Sequence, residues 1–280
     1  MKPKVLVLAV LLVSAMSWTI ASSGATGGSG EEREVSAPGV GARAIREWRT
    51  FRSTVHDGTT YRVSRTGNVY SAESPTGIDH IDSGAPVEGY CLRYTPEGLP
   101  SVEAYDVGDS RSGFGSATRS SSAPWKVTRT TSDGALQLAQ VFSFDGPAKE
   151  LQVRITLKNV SGGSVSNIAL TRLVDFDVDV GGSSGFANAA DNWVAVTEDT
   201  LLAWSDAAVY TEPHGMLLQL IREPSTSGGQ AVFDNSPTTC AAGLFIQGPH
   251  KGDDVGGVSV GFGSLDAGAK RSATVRFARY

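Results

Sequence analysis

The 280-residue sequence holds only two cysteines, Cys91 and Cys240, and four histidines, His56, His80, His214 and His250. Two cysteines exclude a disulfide-dense scaffold, and histidines with neither ligand spacing nor partners give no zinc motif. Helical pattern is equally scarce. The 33 glycines punctuate nearly every window, and only Ala42–Thr50 and Gly185–Trp193 leave room for a turn or two. A parallel α/β enzyme with repeated crossover helices is therefore excluded. No cofactor motif appears, and no apolar run after the first 25 residues approaches the roughly 20 residues of a spanning helix. Positive charge is also short, with a net charge of −5. An acidic chain is a poor nucleic-acid partner. Arg43, Arg46, Arg49 and Arg52 do cluster, but Glu47 and Trp48 interrupt them, and they read as a solvated leading segment.

Lys2 and Lys4 precede nine unbroken apolar residues, Val5–Val13, and small residues follow at Ser23 and Ala25. This is the pattern of a secretory signal peptide, and it predicts cleavage near Ala25. Removal takes away two lysines and no acid, so the exported part carries −7 rather than −5. No cysteine follows the apolar run, so a lipid anchor is not expected. The chain is thus predicted to be secreted or extracytoplasmic, without a membrane span after processing. Residues 26–47 are Gly/Ser-rich and then polar, as in a flexible lead. Residues 48–280 form one domain, since no composition break or internal period divides them. In an oxidising compartment Cys91 and Cys240 are expected to pair, the alternative being two separately buried thiols. The bond would close a loop of about 150 residues and contribute on the order of 5 kcal/mol.

What the chain does contain is β pattern. Leu151, Val153, Ile155 and Leu157 alternate with Gln152, Arg154, Thr156 and Lys158, as in a strand with one dry and one wet face. Turn residues such as Asp57-Gly58 and Thr66-Gly67-Asn68 separate more than a dozen such segments. The spacing predicts an all-β fold, a large, mainly antiparallel two-sheet sandwich. Among its strands are Val87–Tyr94, Ala135–Phe144, Ile168–Val180 and Leu244–Gln247. The stretch Gly108–Ser122 reads as a long mobile loop.

The order Ile155–Asn159, Val160-Ser161, a glycine-rich turn and then Arg172–Asp179 resembles secreted bacterial β-sandwich proteins of the galactose-mutarotase-like supersandwich class. Gly263–Gly268 before a last strand at Thr274–Tyr280 extends the likeness over roughly the last 150 residues, with Glu88-Gly89-Tyr90 as an outlier. The resemblance implies fold. Enzymes of that class set histidines and an acid on a concave sheet face. His56, His80 and His214 would have to converge to do so here.

Several residues invite a chemical reading. Asp175, Asp177 and Asp179 would lie on one strand face about 6 to 7 Å apart, where like charges need relief. Calcium would supply it, with Asn188, Asp191 and Asn192 closing the site, although no glutamate completes an EF-hand. Alternatively the aspartates line a wet face or cap the loop, paired with Arg172, Arg154 or other arginines. Gly181–Gly185 matches G-x-S-x-G around Ser183, but not in the strand–turn–helix context a nucleophile elbow needs. Trp125 and Tyr90 are candidate ligand-binding aromatics, and Trp204 is expected in the core. Glu73, Glu88, Glu103 and Glu198 offer carboxylates for acid–base work. Asn159-Val160-Ser161 is a glycosylation sequon. Catalytic residues are not identified by any of these patterns. The reading that follows is a secreted non-catalytic sandwich binding carbohydrate or another cell-surface component. A carbohydrate-active enzyme (epimerase, lyase or hydrolase) of supersandwich type is the alternative, and an accessory protein for a secreted partner the third.

Overall fold

The computed structural model describes residues 46–54, 58–74, 79–81, 88–108, 110–176, 178, 192–196, 199–205, 215–221, 223, 226–233, 240, 250–251 and 255–279. All of them belong to one unit, residues 42–280. The expected signal peptide lies outside them, as do nearly all of the lead and the strand expected at Leu244–Gln247. No helix among the described residues is long and apolar enough to cross a membrane.

Eighteen strands are described. In chain order they are β1 (Glu47–Arg52), β2 (Thr60–Ser64), β3 (Val69–Glu73), β4 (Glu88–Pro96), β5 (Val102–Val107), β6 (Ser110–Ser112), β7 (Thr118–Arg119), β8 (Trp125–Thr130) and β9 (Leu136–Asp145). They continue with β10 (Glu150–Asn159), β11 (Val165–Asp175), β12 (Asn192–Val196), β13 (Thr200–Ser205), β14 (Gly215–Ile221), β15 (Ser227–Phe233), β16 (His250–Lys251), β17 (Val255–Leu265) and β18 (Lys270–Arg279). The order β16-β12-β13-β14-β18-β10-β9-β8-β7 forms one sheet, β15-β17-β11-β4-β5-β6 a second, and β1-β2-β3 a small third. Every described strand pairing is antiparallel. The fold is an all-β sandwich.

Period-two alternation decides which face is dry. On β10 the residues Leu151, Val153, Ile155 and Leu157 are buried, while Arg154 and Lys158 reach solvent. Ile168, Leu170 and Val174 of β11 join them in one core with Val275 and Phe277 of β18. Burying such a side chain stabilises by about 1.5–3 kcal/mol, so this one face outweighs any single surface contact. The other face of the six-stranded sheet buries a small cluster of Val107, Leu173 and Val255. That outward side of β4 also carries Cys91, which is joined to Cys240 with Cα atoms 5.2 Å apart.

Three expectations shift. Residues 47–50 are strand rather than a helical turn, because Phe51 and Trp48 dock against Phe142. The strand expected to run to Val180 ends at Asp175, and Phe176 instead bridges Ile81. The supposed mobile loop at Gly108–Ser122 contains β6 and β7 and is tied down by Gly115, whose N–H donates to Thr130 O at 2.8 Å.

Candidate ligand-binding cleft

The interior of the sandwich is not apolar throughout. Alternation turns Glu88 and Tyr90 of β4, Asp106 of β5, Arg129 of β8, Gln140 of β9 and Arg172 of β11 inward, and each is essentially buried. An isolated buried charge is expensive, so these groups must satisfy one another. Arg172, with no exposed surface, donates from Nε to Glu88 Oε1 at 2.7 Å and from Nη2 to the same oxygen. Its Nη1 crosses to the other sheet and donates to Gln140 Oε1 at 2.6 Å. Its Nη2 also reaches Gly67 O at 3.1 Å. Arg129 makes the second bridge between sheets, donating from Nη1 to Asp106 Oδ2 and to Tyr90 Oη at 3.0 Å. The group sets two guanidiniums against two carboxyl groups.

The turn between β2 and β3 closes this polar end. Ser64 Oγ accepts from Asn68 N at 3.0 Å, and Ser64 N donates to Asn68 O at 2.8 Å, which folds the turn tightly. Thr66 O then accepts from Tyr90 Oη at 2.9 Å, and Asn68 Nδ2 donates to Asp106 Oδ1 at 2.9 Å. Gly67 has φ +93°, and a Cβ there would lie 2.4 Å from Gln140 Nε2. Only glycine suits both demands. Burial, opposed by Arg172, pushes the Glu88 carboxyl up to about 7, and burial raises the Tyr90 hydroxyl so that it stays a donor.

Above this network opens a cleft of about 600 Å³. The β2–β3 turn forms one wall. The edge strands of the two large sheets, with Arg111 from β6 and Arg119 from β7, form the others, and Arg46 enters from just before β1. Arg129 and Asp106 make the floor. Arg46, Arg65, Arg111 and Arg119 are exposed. Arg119 Nη1 donates to Arg65 O and Ala117 O, both at 3.3 Å, which links the β7 wall to the turn.

The residues singled out from sequence fall in several places. Tyr90 lies beneath the cleft, fully buried and edge-on to Phe114 at 5.5 Å. Trp125 is half-buried, edge-on to Trp48, with the Arg49 guanidinium 3.7 Å above its ring. Asp175 is half-buried at the end of β11 opposite Val255, whereas Asp177, Asp179, Asn188 and Asp191 lie outside the described residues, as does Ser183. Among the described residues no three His, Cys, Asp or Glu side chains group as metal ligands. Arg172 holds Glu88, and Arg154 reaches Glu223 at 3.5 Å. His80 is in the core with Nε2 2.6 Å from Ser74 O, while His56 and His214 lie outside the described residues. Glu73 holds Arg62 at 2.9 Å, Glu103 is exposed on β5, and Glu198 lies outside the described residues. The Trp204 side chain is likewise not described.

Asn159 of the sequon has no exposed surface. Its Nδ2 donates to Gly163 O and Leu265 O, both at 2.8 Å, and its Oδ1 accepts from Ser161 N at 2.9 Å and Ser161 Oγ at 2.7 Å. The sequon is a structural knot at the β10–β11 turn.

No protein-family model and no curated protein matches the chain. Among solved structures, a bacterial glucoamylase complexed with acarbose matches with a TM-score of 0.51 and 11% identity, over 88% of this chain and 34% of that one. A polysaccharide lyase follows at 0.43 and 9%, over 79% and 32%. A family GH92 α-mannosidase from Bacteroides thetaiotaomicron, in complex with mannoimidazole, gives 0.31 and 8%, over 78% and 29%. The chain spans about a third of the length of these proteins. The first likeness concerns fold alone.

Proposed function

We propose that this chain is a secreted, non-catalytic carbohydrate-binding sandwich, and that its ligand sits in the cleft above Arg129 and Asp106. The observation that carries this reading is the construction of the cleft: exposed guanidiniums and hydroxyls arranged over a buried, mutually satisfied polar floor. Guanidinium forks and hydroxyls suit a polyhydroxyl ligand, and a floor fixed before binding lowers the ordering cost. Asp106 is the one carboxylate among the described lining residues, and it is already held by Arg129 and Asn68. The glucoamylase of comparable fold binds acarbose, in keeping with a sugar ligand. Kinship with the galactose-mutarotase-like supersandwiches, export through the N-terminal leader and an extracytoplasmic site of action belong to the same reading. A glycan array probed with the disulfide-intact protein tests it. Binding to at least one glycan class, without turnover, is expected. An array with no bound glycan would refute the role, and release of shortened or rearranged sugar would replace it with an enzymatic one.

A further inference from the structure

We infer that the cleft selects an acidic glycan, one bearing carboxylate, sulfate or phosphate groups. This rests on the cleft being the ligand seat proposed above, and it names the ligand's chemistry. Among the described residues five arginines line the cleft, Arg46, Arg65, Arg111, Arg119 and Arg129, against one carboxylate, Asp106. These described residues carry about four net positive charges in a chain whose net charge is −5. Such a concentration of one sign within low-dielectric walls focuses potential at the opening.

Outside the lining, Arg62, Arg154, Arg172 and Arg276 each hold a carboxylate, while Arg49 lies over the Trp125 ring, Arg93 meets the Ser101 hydroxyl and Arg271 donates to Phe262 O. Arg129 holds Asp106. Arg46, Arg65, Arg111 and Arg119 make no ion pair among the described residues, and Arg119 reaches only backbone carbonyls. Four uncompensated cations converging from the approach to β1, the β2–β3 turn, β6 and β7 are not a solvated charge run. Mutual repulsion at such a convergence is relieved when an anion arrives. All five are arginine rather than lysine, and the planar fork grips carboxylate, sulfate and phosphate oxygens through two parallel N–H bonds. The hydroxyls of Thr66 and Ser116 in the same lining suit the uncharged remainder of a sugar.

The test is calorimetric titration of the disulfide-intact protein with four probes: oligogalacturonate, a heparin-derived oligosaccharide, a neutral cello-oligosaccharide and a short single-stranded DNA. Arg65→Ala/Arg111→Ala is compared with wild type and with Arg154→Ala, a surface arginine on β10 remote from the cleft lining. Both cleft arginines are exposed, so the melting temperature should hold and any loss of binding reports the site. An acidic oligosaccharide should bind, weaken as salt is raised, and lose about tenfold in affinity per arginine removed, with Arg154→Ala unchanged. Preference between uronate and sulfate identifies which anion the forks were built for. Equal affinity of the double variant for acidic glycan overturns the inference, as does tighter binding of DNA. If only the neutral oligosaccharide binds, the carbohydrate role stands and the acidic selection falls. If no glycan binds, both fall.

Discussion

Replacing Arg172 with methionine removes the cation at the centre of the sandwich while filling most of its stem volume. Glu88, with no exposed side-chain surface, loses its counter-ion, and Gln140 Oε1 and Gly67 O lose donors at 2.6 and 3.1 Å. Breaking a buried ion pair from one side costs about 3–5 kcal/mol. Each abandoned buried acceptor costs about 1–3 kcal/mol, although the terms overlap and do not add. Against a total stability of roughly 5–15 kcal/mol, the substitution should be severe. The Glu88 carboxyl can recover part of this by taking a proton, since burial already pushes it up to about 7. The cost should therefore be larger at pH 8 than at pH 5. Adding Glu88→Gln to Arg172→Met removes the stranded charge and should regain stability at pH 8. Urea unfolding followed by tryptophan fluorescence, with the disulfide intact, measures wild type and both variants at pH 5 and pH 8. A loss below about 1 kcal/mol at pH 8, or no difference between the single and double variants, would refute a tightly coupled pair.

In wild type the Glu88 group has a folded-state value of about 7, raised from 4.5, so the folded form binds the extra proton between those values. Its contribution to stability is full below about pH 4.5 and is lost as pH rises through 7, at no more than about 1.4 kcal/mol per pH unit. Melting curves at pH 5 and pH 8 should thus show wild type gaining on Glu88→Gln at the lower pH, and a constant gap would contradict this. Gly67→Ala should cost about 1–3 kcal/mol through its left-handed backbone and, by pushing Gln140 off Arg172, reduce glycan affinity; unchanged melting and binding would disprove the close approach. Asn159→Ala strands the carbonyls of Gly163 and Leu265 and should cost on the order of 2 kcal/mol. For the same reason, intact mass after expression in a glycosylating host should show no sugar on Asn159, and an occupied site in folded protein would contradict its burial.

Much of the architecture is legible by parity. Leu151, Val153, Ile155 and Leu157 announce β10, and the same count places Arg172 on the side of Leu170 and Val174, and Glu88 on the side of Tyr90 and Leu92. Followed strictly, alternation alone turns four charged residues inward. Which of them meet is a matter of strands far apart in sequence, such as β11 and β9, and no local pattern carries that. The cleft was hidden for a related reason. Arg46, Arg65, Arg111 and Arg119 are spread over about 70 residues, so their charge never gathers within one window. The Gly/Ser composition of Gly108–Ser122 signals mobility, yet backbone pairing at Gly115 and Arg119 makes it a wall. The sequon misleads differently, because Asn-x-Ser is also the grammar of an Asx turn, and at Asn159 that use prevails.

The strand Glu88–Pro96 serves two masters, its Cys91 sulfur facing outward and its Glu88 and Tyr90 facing the ionic floor. A covalent rivet on one side of a ribbon thereby steadies the ion lattice on the other. With the two thiols apart, that ribbon would hold its carboxylate and phenol, and the guanidiniums they meet, on a looser base.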